Sequence, residues 1–305
     1  MNILMTGGSG FIGRYLIDEL LKHKYNIRII SRKPSIDKKF ETFRGDITQP
    51  ESIKSAFKNI DAVFHNAAYA MDIGDKKKIH KINVEGTKNI ANLCVENNIS
   101  RLIFTSSAGV YGFPNKNIVI NEDYEKNPLN YYQKSKLEAE KILSGFINLK
   151  ISIIRPTLVF GSGGKAVEIL LTRIKQGKMI FIGNGDTKIP LVHPTDVAQC
   201  LRLAFEKDEK GDIFNAVSFV CTAKDLLNEI TDQLKIKRIE KHVPFALAYL
   251  NAIFSETFSK KENALTRFRV KTFGTTRIVS NKKAIEKLGF KPNYNLSSMV
   301  KDMIS

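Results

Sequence analysis

The feature that most limits how this chain can fold is a short apolar run, Asn2 to Thr6. It leads straight into Gly7-Gly8-Ser9-Gly10-Phe11-Ile12-Gly13 and then into a helical pattern. Glycines at that junction permit a tight turn and let backbone N–H groups approach a ligand closely. The helix that follows opens with positive partial charge and unpaired donors. A strand, a glycine turn and a helix in this order seat a pyrophosphate, so the start of the chain points to a bound dinucleotide.

The same alternation continues. Strand-like runs at residues 2–6, 26–31, 62–65, 101–106 and 150–155 are separated by helical periodicity, as over 14–23 and 84–97. Parallel strands need crossover helices, and these cover both faces of a sheet. The expected fold is therefore α/β, a Rossmann-type doubly wound parallel sheet. After Pro156 the segments shorten, with Gly161, Gly163, Gly164, Gly183 and Gly185 between them. Residues 1–160 read as an NAD(P)-binding domain with a returning strand and helix near 189–207, and 161–305 as a smaller, mainly substrate-binding portion.

Composition removes several classes. With 305 residues, 43% of them hydrophobic, the chain can bury a large core. Its net charge of +17 creates a field attractive to polyanions. Apart from Lys76 to Lys78, and Lys260 with Lys261, the lysines are dispersed, and no nucleic-acid module accompanies them. A solvated surface is expected, with no nucleic-acid partner. Cys94, Cys200 and Cys221 are far apart, which gives neither a disulfide framework nor a metal site. The strand at Asn2 leaves no room for a leader, so a cytoplasmic location is expected. The most apolar stretch, 243–254, is much too short to span a bilayer. It reads as a buried helix in preference to a pocket wall or an interfacial contact.

The second strand ends at Ser31-Arg32-Lys33, eighteen residues beyond Gly13, where an acid that binds the NAD ribose is expected. A carboxylate there repels a 2′-phosphate, whereas Arg32 pairs with one and Ser31 leaves room for it. NADP is favoured, with NAD the alternative.

The run from Arg101 to Gly112 places Thr105, Ser106 and Ser107 at the carboxyl end of a central strand, where ligands of open parallel sheets gather. Tyr132 and Lys136 follow on a helical segment, and a spacing of four puts them on one face. The ammonium is expected to favour the ionised phenol, which near pKa 10 is otherwise a poor proton shuttle.

With these residues together, the chain resembles an extended short-chain dehydrogenase/reductase, the NAD-dependent epimerase/dehydratase family. The matching features are Gly7, Gly10 and Gly13, then Gly45-Asp46-Ile47, Asn66-Ala67-Ala68 and Asn83. Further along they are Ser106-Ser107 with Val110-Tyr111-Gly112, Tyr132 with Lys136, Arg155-Pro156, and Val192-His193 with Asp196-Val197-Ala198. The resemblance implies that Asp46 and Ile47 flank the adenine, that Ala67 and Ala68 pass by the cofactor, and that Lys136 holds the nicotinamide ribose. Tyr132 becomes the proton donor or acceptor, with Ser107 hydrogen-bonded to the reacting oxygen. Phe11, Ile12, Asn83 and Pro156 complete the expected cofactor set. His193 is expected to pack, and a homodimer through helices near 84–97 and 128–146 is implied.

Departures from the family pattern narrow the substrate. Ala108 and Gly109 stand where sugar dehydratases carry an acidic pair. Leu158 and Ile189 replace the Asn and Arg with which nucleotide-sugar members hold a uridine diphosphate. The wording around Arg155 to Gly161 resembles the 3β-hydroxysteroid dehydrogenase and dihydroflavonol reductase branch. A reductase or dehydrogenase for a small lipophilic carbonyl or alcohol is therefore expected. A nucleotide-sugar 4-epimerase with tightly bound NAD is the alternative, and a non-catalytic dinucleotide sensor is a third reading.

Overall fold

In the computed structural model, residues 1–33, 40–114, 118–258 and 265–305 are described; Lys260 and Lys261 lie outside them. The central sheet has seven parallel strands: β1 (Asn2–Thr6), β2 (Asn26–Ser31), β3 (Glu41–Arg44), β4 (Ala62–His65), β5 (Arg101–Thr105), β6 (Lys150–Pro156) and β7 (Ile213–Ala216). Their order is 3-2-1-4-5-6-7. The direction of winding reverses between β1 and β4, so a crevice opens at their carboxyl ends. Register brings Thr6 beside both Ile30 and His65, and His65 beside Phe104.

Why the strands read as unbroken apolar runs is plain from β1. Ile3 and Met5 enter the core on one face with Leu16 and Leu20 of helix α1 (Phe11–Lys22), while Leu4 enters the core on the other. Successive side chains leave a strand on opposite sides, and both sides here are covered. Helix α2 (Gly86–Glu96) and α3 (Tyr131–Leu143) cover the Leu4 face. On the Ile3 face, α1 packs along a long helix at Pro194–Lys207. Full burial of a Leu or Ile side chain is worth about 1.5–3 kcal/mol, so these layers dominate the stability of the domain.

The strand and helix expected to return near 189–207 part company. The helix does return to the central sheet. The strand Lys188–Val192 instead pairs with Phe219–Thr222 and Leu158–Val159 in a separate three-stranded sheet. The strand that rejoins the main sheet is β7.

Beyond this sheet, helices α4 (Lys165–Lys175), α5 (Pro194–Lys207) and α6 (Ala223–Gln233) are followed by α7 (Phe245–Phe258), α8 (Arg267–Gly274), α9 (Lys282–Leu288) and α10 (Leu296–Ile304). Helices α4, α6 and α10 share a second core around Leu170, Leu226 and Met299. Helix α7 differs from expectation. Only Ala248 and Ala252 are buried, so the stretch read as a buried helix lies largely on the surface.

Candidate active site

The carboxyl ends of β1 and β2, the glycine turn and the loops after Arg44 and His65 enclose a cleft of about 250 Å³. Gly7, Gly10, Ser31 and Arg32 lie on its wall, as do Asp46, Ile47, Ala67 and Ala68. Thr6, Ser9, Ile30, Tyr69 and Ile82 join them; Thr6 and Ile30 could have been found as the last residues of their strands facing the crevice.

The glycine turn leaves room only for backbone. Gly7 has φ +73°, and a Cβ on it would sit 2.6 Å from the Ala67 nitrogen; one on Gly13 would sit 2.1 Å from the Gly7 oxygen. The turn can therefore pass close to the backbone after β4 only because Gly7 lacks a side chain, and α1 can pack against it only because Gly13 does. Gly10, at its N-cap, gives no side-chain cap. The first-turn N–H groups of an uncapped helix suit a pyrophosphate, so the turn fits a dinucleotide. The Phe11 ring packs on Tyr15 and closes against Gly164, and the Ile12 side chain packs on the sheet core, so both offer a ligand backbone only.

The other half of the crevice is built by β5 and α3. Ser106 and Ser107 follow β5 and, like successive strand residues, point apart. Ser106 turns inward and donates to Glu140 Oε1, while Ser107 is part-exposed and its Oγ accepts the Gly109 N–H at 3.0 Å. Its own proton is left for another acceptor. On α3, Lys136 is 2% exposed, with Nζ 4.2 Å from the centre of the Phe104 ring. Burial pulls its pKa down to about 7, opposed by the Glu140 carboxylate. One turn earlier, the Tyr132 phenol is pushed up to about 12, by burial first and by Asp72 second. Burial and Asp72 both favour the protonated phenol, and Lys136, itself buried, loses charge near neutrality.

Glu140 is the site-supporting residue that the sequence reading missed. It is 5% exposed and clamps Arg155 through two contacts, Nε to Oε1 at 3.0 Å and Nη2 to Oε2 at 2.6 Å. Arg155 also donates to Tyr111 Oη at 2.7 Å. The signal was available: Tyr132, Lys136 and Glu140 recur every four residues.

Residues 3–216 match the family described as NAD dependent epimerase/dehydratase. The chain belongs to that family. Its members include both redox enzymes and epimerases, and this chain is similar to each kind. It is 28% identical over 309 residues, 97% of this chain and 92% of the other, to an N-acetyl-alpha-D-glucosaminyl-diphospho-ditrans,octacis-undecaprenol 4-epimerase of Escherichia coli O157:H7. It is 27% identical over 318 residues, 97% of this chain and 88% of the other, to a decarboxylating sterol-4-alpha-carboxylate 3-dehydrogenase of Mus musculus. Among solved structures, the UDP-glucose 4-epimerase of Thermotoga maritima superposes with a TM-score of 0.82 at 24% identity, covering 100% of this chain and 97% of that one. Likeness at that identity speaks for the fold. The protein is thus an enzyme of an NAD-binding epimerase/dehydratase family, of the extended short-chain dehydrogenase/reductase type.

In this epimerase/dehydratase chain several expected contacts turn out to be supports. Asn83 sits 1% exposed in a π turn at Lys81–Glu85, accepts the Tyr69 N–H at 2.7 Å and donates to Ser135 Oγ at 2.9 Å. It ties a cleft wall to α3 and does not line the cleft. Pro156, at the end of β6, is buried beside Ala216, on the far side of β5 from this cleft. His65 is fully buried between Thr6 and Thr87, at 2.7 and 2.9 Å, and burial drives its pKa to about 3. His193 packs as expected: its ring stacks on Tyr294 at 3.5 Å and bonds Asp302 at 2.9 Å.

A second cavity of about 330 Å³ lies in the C-terminal part, walled by apolar residues that include Leu158, Leu170, Phe181, Leu227 and Phe273. Asp72 marks one boundary and is held by Arg269 Nε at 3.0 Å. The charge of the same Asp72 helps to raise the pKa of the Tyr132 phenol. Ile189, by contrast, is packed in the core and lines neither cavity.

Proposed function

We propose that this protein moves a hydride between a nicotinamide dinucleotide and the carbonyl or secondary-alcohol carbon of a small lipophilic substrate. The observation that carries this reading is the apolar cavity of the C-terminal part, which Asp72 helps to line. A cavity with so few polar groups costs little to desolvate and rewards apolar contact. Two relatives also carry a lipid in their names, an undecaprenol and a sterol.

The cofactor supplies or takes up the hydride when bound. Gly7, Gly10 and the backbone of Phe11 to Gly13 hold its pyrophosphate, Asp46 and Ile47 its adenine, and Ala67 and Ala68 its passage along the cleft. Arg32 and Ser31 favour the 2′-phosphate of NADP. The phenol of Tyr132, protonated at neutral pH, delivers its proton to the substrate oxygen. Ser107 donates to the same oxygen and is fixed by the Gly109 N–H. Lys136 holds the nicotinamide ribose. The division near residue 160, a homodimer through α2 and α3, and a cytoplasmic location belong to the same proposal.

A second reading, 4-epimerisation of a diphosphate-linked substrate, is favoured by Arg277. It is 5% exposed, its guanidinium lies 4.9 Å from the Phe113 ring centre and donates to the Gly112 carbonyl at 3.5 Å, and no carboxylate pairs with it among the described residues. One experiment separates the readings. Nucleotide carried through purification is identified by mass spectrometry, and net NADPH oxidation is followed with medium-chain ketones. Net oxidation supports the reductase; locked NAD without net turnover replaces it with the epimerase. Tyr132→Phe should cost at least about 10²-fold in kcat with cofactor affinity kept, and an unchanged kcat sinks both.

A further inference from the structure

Helix α7 is apolar on the side the protein covers and also on the side it leaves open. Leu247, Leu250, Phe254 and Phe258 recur at helical spacing and are 51%, 54%, 62% and 83% exposed. The one charged residue of the helix, Glu256, is taken by Arg267 at 2.6 Å, so the outer face carries no charge. A continuous apolar stripe of this kind marks a binding surface, where scattered single side chains would not. On its inner side, the same helix contributes the buried Ala248 to the wall of the apolar cavity.

The surroundings decide what the stripe meets. Lys241 is exposed and is fixed beside Ile180, itself 39% exposed, by the Phe181 N–H to Lys241 carbonyl bond of 2.8 Å. Lys178 is exposed on the segment just before it, and Val243, two residues on from Lys241, packs with Ala248 of α7. These cations stand in a chain of net charge +17. Two copies meeting through this face bring like charges together, whereas an anionic surface is attracted by the same field. An uncharged apolar stripe with cations beside it suits the boundary between headgroups and acyl chains of an anionic bilayer.

We infer that the outer face of α7 docks this protein on an anionic lipid surface, with Leu247, Leu250 and Phe254 entering the headgroup boundary. Docked so, the cavity wall at Ala248 lies within one helix diameter, about 10 Å, of the lipid. A lipophilic substrate then reaches the cavity without crossing bulk water. That last step rests on the proposed function; the docking itself does not.

The test is co-sedimentation of the full chain with vesicles of phosphatidylcholine and phosphatidylglycerol, and with phosphatidylcholine alone. Binding is expected to the anionic vesicles, weakened by salt. The double variant Leu250→Ser, Phe254→Ser should partition at least about tenfold less, with thermal midpoint and cofactor affinity unchanged. Lys241→Glu should weaken only the anionic binding. Wild-type protein that ignores anionic vesicles, or a double variant that binds as well as wild type, overturns the inference. So does wild-type self-association that the double variant abolishes, with no vesicle binding. Vesicle binding by a protein with no NADPH turnover keeps the docking and removes only the catalytic reading.

Discussion

Lys136 lies with its ammonium nitrogen 4.2 Å above the face of Phe104, and Phe104 in turn stacks on His65 at 5.6 Å between ring centres. The ring offers a buried cation its negative face, which is worth about 0.5–2 kcal/mol. With Glu140 engaged by Arg155, this ring is the nearest compensation that does not compete with another cation. It does not offset burial fully, and the lysine is left near neutrality.

A pH dependence of stability follows from that balance. The folded pKa of Lys136 is about 7, against an ordinary 10.5. Between those values the unfolded chain holds a proton that the folded chain has released, so stability rises with pH across the window. Below about pH 7 both states are protonated and the full penalty remains. Lys136→Met should therefore be more stable than wild type at pH 6 by a few kcal/mol, with the gap closing towards pH 10. Thermal midpoints of both proteins across that range check it; a constant difference would contradict it.

The Arg155 and Glu140 pair should show strong coupling. Both side chains are nearly inaccessible, and Ser106 adds a further bond to the carboxylate. Removing one partner strands a buried charge, which typically costs about 3–5 kcal/mol, whereas removing both does not. Arg155→Met and Glu140→Met should each lower stability by about that amount, and the double variant by clearly less than their sum. Urea denaturation of the four proteins completes the cycle. Additive losses would show that the pair is not a unit.

What the sequence disclosed depended on whether one local pattern decided the outcome. Strands such as β1, with Ile3, Leu4 and Met5 all buried, are apolar without a break and declare themselves. Strands β3 and β7 did not: Glu-Thr-Phe-Arg at one edge of the sheet and Ile-Phe-Asn-Ala at the other are short and mixed in polarity. The cleft wall was legible through the glycines and the strand ends. Supporting roles were not, because Asn83 looks the same in sequence whether it faces the ligand or holds the wall from behind. Helix α7 shows the opposite limit. Hydropathy measures how apolar Leu250 and Phe254 are, and says nothing of what covers them.

The glycine turn predicts a steric effect separate from cofactor chemistry. A methyl group on Gly13 meets the Gly7 carbonyl at 2.1 Å, which no side-chain motion can relieve because the contact is backbone. Gly13→Ala must push α1 off the turn, at about 1–3 kcal/mol for overpacking of this kind. Dinucleotide affinity, measured by calorimetry, should fall more steeply than the thermal midpoint. Unchanged affinity would mean that the turn does not seat the pyrophosphate.

In the proposed reading, Arg32 carries the choice of cofactor. It stands exposed on the cleft wall beside Ser31, at the end of β2, where a carboxylate would serve a free ribose hydroxyl. A charge-assisted bond to a phosphate is worth about 1.5–3 kcal/mol, or roughly 10- to 150-fold in affinity. Arg32→Ala should weaken NADP binding by that factor and leave NAD binding within about twofold, since NAD has no phosphate there to lose. Arg32→Lys should recover only part of the loss, because a point charge cannot reproduce the guanidinium fork. Titration of both dinucleotides against the three proteins gives the comparison, and equal losses for NAD and NADP would assign the 2′-phosphate to some other residue or to none.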